Sequence, residues 1–108
     1  MGDKIDSPEE FLNIDKSTGI MHFPGFSKES AEFLGSERSI NGIAIDTASL
    51  DPGNSRTFSV HKTNLGNDKY QVECMALKNL PPCGVTILCM PPRFKDAHEM
   101  TARVIAFR

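Results

Sequence analysis

Two proline pairs, Pro81-Pro82 and Pro91-Pro92, bracket the apolar run Val85-Thr86-Ile87-Leu88-Cys89-Met90, and this punctuation limits what the chain can fold into. Proline lacks an amide donor and fixes φ, so no helix or interior strand runs through such a pair. The run between the pairs is short and continuously apolar, so residues 84–90 are predicted to form a strand covered on both faces. Two more runs read the same way. Ile43-Ala44-Ile45 lies within a strand predicted for residues 40–47, ended by the turn cluster Leu50-Asp51-Pro52-Gly53-Asn54. Residues 102–107 form the third.

Helices are predicted around these strands. Ser7-Pro8-Glu9-Glu10 has a capping serine, proline at the first helical position and an acid at the third. It predicts a short surface helix within a partly frayed leader, residues 1–22. A second helix is predicted over residues 28–35. Ser27 is its cap, Glu29 faces the positive end of its dipole, and Gly35 is placed to end it. Phe26 and Ala31 can staple its start, with Phe33 and Leu34 supplying the buried face. Residues 59–65 fit either a short helix or a loop, and residues 69–75 begin extended and pass into a helical turn. The pattern is α+β (mixed α/β), with a core of about three buried strands and peripheral helices. At 108 residues this is one domain by length.

Composition removes several classes of function. The net charge is −2 and the twelve basic residues are scattered, which argues against nucleic acid or an anionic membrane as partner. Cys74, Cys83 and Cys89 show neither CxxC spacing nor a nearby histidine at ligand spacing, so they are read as small buried hydrophobes in a reducing compartment. The start, MGDKIDSPEEF, has no apolar signal region, and the myristoylation pattern after Gly2 meets Asp6 where a hydroxyl residue is required. A cytoplasmic location is expected. No apolar run approaches membrane-spanning length.

Chemistry-bearing residues are sparse. No two of His22, His61 and His98 are spaced as a local metal cage, no GxSxG surrounds a serine, and both phosphate-loop patterns are absent. His61 and Glu73, twelve residues apart, are on spacing alone a hydrogen-bonded loop histidine and a solvated acid.

From Phe23 to the C-terminus, however, an ordered series of segments resembles the back half of the cyclase-like metal-dependent hydrolases, a family that includes bacterial-type kynurenine formamidase (arylformamidase) and isatin hydrolase. The segments are Pro24-Gly25-Phe26-Ser27, Gly42-Ile43-Ala44-Ile45-Asp46-Thr47, Ser49-Leu50-Asp51-Pro52-Gly53, Val60-His61-Lys62, Glu73, Asn79-Leu80 and Ala102-Arg103-Val104-Ile105-Ala106. The isatin hydrolase branch is the more similar, chiefly through residues 46–53. The resemblance implies a swivelling β/β/α-like fold, here partial, spanning residues 23–108 as the C-terminal half of a hydrolase domain. It also implies a divalent metal, zinc or manganese, held in part by His61 and Glu73, and a small aromatic amide as substrate. The implied chemistry is amide hydrolysis in tryptophan–kynurenine or indole-dione catabolism. Imidazole and carboxylate suit either metal.

The chain also departs from the family. The main metal motif, His-x-Gly-Thr-His-x-Asp-x-Pro-x-His, has no counterpart in residues 1–60, and no catalytic residue is assigned. Lys95-Asp96-Ala97-His98-Glu99-Met100-Thr101 stands where the family has a glycine-rich turn. The alternative expectation is therefore a non-catalytic truncated relative acting as a binding or structural module. Strands without partners would leave open edges, so a homo-oligomer is expected.

Overall fold

The computed structural model describes residues 7–108; Met1–Asp6, with the Gly2 pattern and the start of the leader, lie outside the described residues. The chain forms two compact units, Met1–Ala76 and Leu77–Arg108. Its elements mix helix and strand, in agreement with the α+β reading.

In the first unit, α1 (Pro8–Phe11) starts as its sequence requires: the Glu10 N–H donates to the Ser7 hydroxyl at 3.1 Å. Asn13, at positive φ, follows the helix, and an Ile14–Met21 bridge returns the chain on itself. Helix α2 (Lys28–Glu37) is capped by Ser27, whose hydroxyl accepts the Ser30 N–H at 3.1 Å. It runs through Gly35 rather than ending there, because that glycine does not take the left-handed conformation that would terminate it; the left-handed residue is Ser39, with φ 50°. Phe33 is not part of the buried face; it is exposed beneath the Arg38 guanidinium, 4.8 Å from the ring centroid.

Strand β1 (Gly42–Ala44) passes through α3 (Ser59–Gly66) to β2 (Tyr70–Val72), which pairs parallel with it, Ile43 opposite Gln71. Residues 59–65 are thus helical, as a parallel pair needs a crossover. After β2 the chain does not turn helical: Cys74 takes φ 55° while its N–H donates to the Thr47 carbonyl and that of Met75 to the Ile45 carbonyl, both at 2.9 Å. Ala31, Ile43, Leu50 and Val60 form the core, with Phe26, Leu34, Ile40 and Ile45 packed against it.

Two Pro-Gly dipeptides lie side by side beneath this core. The Phe26 N–H donates to the Leu50 carbonyl at 2.8 Å, and the Gly53 N–H to the Phe23 carbonyl at 3.0 Å. A Cβ on Gly25 would stand 2.5 Å from both Asp51 C and Pro52 N, so only glycine lets the two backbones approach this closely.

In the second unit, β3 (Thr86–Met90) pairs antiparallel with β4 (Arg103–Phe107), Leu88 opposite Ile105. Both strands fall where predicted, yet neither is buried. Ile87, Leu88, Met90, Ile105 and Phe107 are all exposed, since a two-stranded sheet has no second layer of its own. The expected core of three buried strands is therefore replaced by two separate two-stranded sheets, with Ile43 the buried strand residue among those described. The cysteines are free, Cys74 and Cys83 exposed and Cys89 half-buried, so they are not the buried hydrophobes expected. Among the described residues no helix is long and apolar enough to cross a membrane.

Substituting Gly25→Ala tests the close approach. The added methyl would meet backbone rather than a flexible side chain, so a loss of about 2–3 kcal/mol is expected in urea unfolding. A loss below about 0.5 kcal/mol, the range of ordinary surface changes, would show that the two segments can separate freely.

Candidate functional site: a histidine between two carboxylates

Helix α3 begins without a cap of its own. Its N-cap position is Phe58, in the left-handed region (φ 49°, ψ 47°), with a side chain that can accept no hydrogen bond. The first-turn N–H groups need an acceptor, and Asp51 provides one from the turn eight residues before the helix. Its Oδ1 accepts the Val60 N–H and its Oδ2 the His61 N–H, each at 3.0 Å. A carboxylate here also complements the positive end of the helix dipole.

The same carboxylate fixes the His61 ring. Asp51 Oδ2 lies 2.7 Å from His61 Nδ1, so a proton on Nδ1 is held there and Nε2 is turned away. Asp51 is 1% exposed. Burial pushes its pKa up, but the hydrogen bonds from the Val60 N–H, the His61 ring and the His61 N–H outweigh it, and the carboxyl titrates below its ordinary value of 3.8.

On the other side of the ring, His61 Nε2 lies 3.3 Å from Glu73 Oε1. Glu73 follows directly after β2, and its Oε1 also accepts the Leu50 N–H at 3.0 Å, which ties it to the turn carrying Asp51. The Phe58 ring stands edge-on to the His61 ring, with centroids 5.9 Å apart and planes at 89°. The His61 and Glu73 side chains are each about one-quarter exposed, whereas Asp51 is buried.

The two residues singled out in the sequence therefore meet; His61 is hydrogen-bonded as expected, though it lies on α3 and not in a loop, and Glu73 is only partly exposed. His22 and His98 are both exposed and take no part. Asp51 is the residue that sequence reasoning missed, because Asp51-Pro52-Gly53 is already explained as a turn. One signal could have exposed it: a helix starting after Phe58 has no local capping side chain, so an acceptor must come from elsewhere.

With Nδ1–H committed to Asp51, His61 Nε2 presents a lone pair to a carboxylate oxygen. Two such acceptors 3.3 Å apart need a cation shared between them, either a proton or a metal. Two ligands bound at about 2.0–2.2 Å to one tetrahedral zinc are themselves about 3.3–3.6 Å apart, so the donor pair fits. An imidazole whose far nitrogen is held by a carboxylate is also the usual support of a metal-binding histidine. Among the described residues, no group of three or more His, Cys, Asp or Glu side chains is arranged to hold a metal.

No family model matches the chain, and no curated protein matches its sequence. Among solved structures, isatin hydrolase A from Ralstonia solanacearum superposes with a TM-score of 0.81 at 31% sequence identity, covering 91% of this chain and 38% of that one. Isatin hydrolase A from Labrenzia aggregata, bound to benzyl benzoate, superposes with a TM-score of 0.84 at 28% identity, covering 93% of this chain and 40% of that one. The chain is thus similar to these hydrolases over most of its own length and spans about two-fifths of theirs.

Asp51→Ala would strand two first-turn N–H groups and release the ring, and a loss of about 2–4 kcal/mol is expected. The pH dependence has a definite sign. The folded-state pKa is depressed, so the stabilisation is complete above the ordinary carboxyl value of 3.8 and is lost as pH falls through the lower folded value. Urea midpoints measured between pH 3 and 7 should show an acid-side loss that is smaller in Asp51→Asn; identical slopes would remove Asp51 as its source.

Proposed function

We propose that this chain carries part of the active site of a metal-dependent amide hydrolase of the isatin hydrolase or arylformamidase type. The observation that carries the proposal is the partly exposed His61 Nε2–Glu73 Oε1 pair, 3.3 Å apart, with the far ring nitrogen held by buried Asp51. Structural similarity to two isatin hydrolases supports the reaction class.

His61 and Glu73 would hold a divalent cation, zinc or manganese, in agreement with their imidazole and carboxylate chemistry. When bound, that metal supplies Lewis-acid chemistry, polarising an amide carbonyl and lowering the pKa of an attacking water. Asp51 keeps the proton on Nδ1, which leaves the Nε2 lone pair available and fixes its direction. Glu73 brings negative charge, and its bond from the Leu50 N–H limits its rotamers. A catalytic zinc site takes three protein ligands, and two are supplied here, so on this proposal the third comes from polypeptide outside the matched stretch. The substrate is a small aromatic amide, as in tryptophan–kynurenine or indole-dione catabolism.

A second reading is a non-catalytic module that keeps the pair without turnover. The lack of a third ligand among the described residues favours it.

Isothermal titration with Mn²⁺ or Zn²⁺ tests the metal assignment. One equivalent should bind, and His61→Ala should weaken binding by about tenfold or more. Unchanged affinity in that variant would place the metal elsewhere. Hydrolysis of N-formylkynurenine or isatin by the metal-loaded chain would support the hydrolase, and one bound equivalent with no turnover would support the module.

A further inference from the structure

Helix α2 carries a glycine that folding does not explain. Gly35 lies inside the helix, where glycine is less favourable than alanine. It is not left-handed, and a Cβ built on it would meet nothing within 4 Å. Neither a turn nor a close backbone approach requires it. What lies in front of it is a cleft.

The cleft is formed between α2 and α3 and has a volume of about 400 Å³, within the range of small-molecule sites. Ala31, Glu32 and Gly35 line it from α2, Asn64 and Asn67 from α3, and Lys69 from the residues that follow. His61 and Glu73 do not line it.

Asn64 marks the same cleft independently. It is 4% exposed, and its Nδ2 donates to the Tyr70 carbonyl at 3.0 Å, while its Oδ1 accepts no bond among the described residues. Gln71 Oε1 is the one sealed side-chain atom without a partner among those residues, so Asn64 Oδ1 is not sealed and opens on the cleft that Asn64 lines. A buried amide is costly to leave half satisfied, which makes that free acceptor a place for a donor. Asn67 repeats the pattern: its Nδ2 donates to the Thr63 carbonyl at 2.6 Å, and its Oδ1 is left free.

The two walls also bring opposite charges. Glu32 pairs with Lys28 through Oε1 at 3.2 Å, a half-exposed contact of little strength, and its Oε2 is uncommitted. Lys69 is half-buried and has no ion-pair partner among the described residues. Its backbone is fixed to α3, because its N–H donates to the Asn64 carbonyl at 3.1 Å. Amide and carboxylate oxygens accept from an ammonium group, which has three donors, and a lysine answers a carboxylate.

We propose that the α2–α3 cleft is a binding site for a small zwitterion, an aliphatic α-amino acid. Its ammonium group donates to Asn64 Oδ1, Asn67 Oδ1 and Glu32, its carboxylate meets Lys69, and its side chain fills the space in front of Ala31 and Gly35. The site is separate from the His61–Glu73 pair and does not depend on a metal.

The test is an NMR titration of the isotope-labelled 108-residue chain with L-valine, and with isovalerate and isobutylamine, which keep its branched carbon skeleton and each lack one charge. L-valine should shift the Gly35 and Lys69 amide signals and the Asn64 and Asn67 side-chain signals. Each singly charged probe should bind about tenfold more weakly, the loss expected for one charged hydrogen bond. Lys69→Gln should weaken L-valine by about the same factor and leave isobutylamine unchanged. Gly35→Leu fills the cleft with a better helix former, so it should raise the urea midpoint and abolish the L-valine shifts. No saturable shift at millimolar L-valine, equal binding of the three probes, or L-valine binding that survives Gly35→Leu would each overturn the proposal. Shifts centred on His61 and Glu73 would also overturn it. The metal assignment stands or falls separately, on Mn²⁺ affinity in His61→Ala.

Discussion

Much of the first unit depends on one buried carboxylate. Asp51 takes the N–H groups of Val60 and His61 and the Nδ1 edge of His61, so a single side chain starts α3 and orients the ring that α3 carries. A buried carboxylate without such donors would be costly, because burial penalises the charged form. Here the donors are supplied by a helix that has no other cap, and each deficit satisfies the other. The coupling makes the histidine rotamer part of folding rather than a detail of the surface.

The turn that carries Asp51 is in turn fixed by close backbone approach. Gly25 and Gly53 let the segments around residues 23–26 and 50–53 lie against each other, and Thr47 bonds the Pro24 and Ser49 carbonyls at 3.0 and 3.1 Å. The Leu50 N–H then reaches Glu73, which comes from the end of β2. The three polar groups of the site thus come from a turn, a helix and a strand end, all tied to the backbone at residues 50 and 51.

The Leu77–Arg108 unit shows what apolar patterning does and does not report. The runs at residues 85–90 and 102–107 do form strands, and they pair in register along their whole length. Their two-sided apolar character states what the faces would favour as surroundings, not what lies against them. Strand existence is a local property of β-branched and large apolar residues, whereas burial requires a second layer that no local pattern encodes.

The sequence by itself determined where most helices and strands lie, the caps at Ser7 and Ser27, the turn at Asp51-Pro52-Gly53, and, as candidates, His61 and Glu73. These are short-range matters of backbone freedom and hydrogen-bond supply, save for His61 and Glu73, which were legible through resemblance to a family. Only the tertiary structure decided that Asp51 is more than a turn residue, that Phe33 lies outside the core, and that Phe58 stands beside His61. Each of these depends on which distant backbone comes within about 3 Å of a given side chain. That is set by long-range packing around Leu50 and Val60, and spacing along the chain carries no record of it.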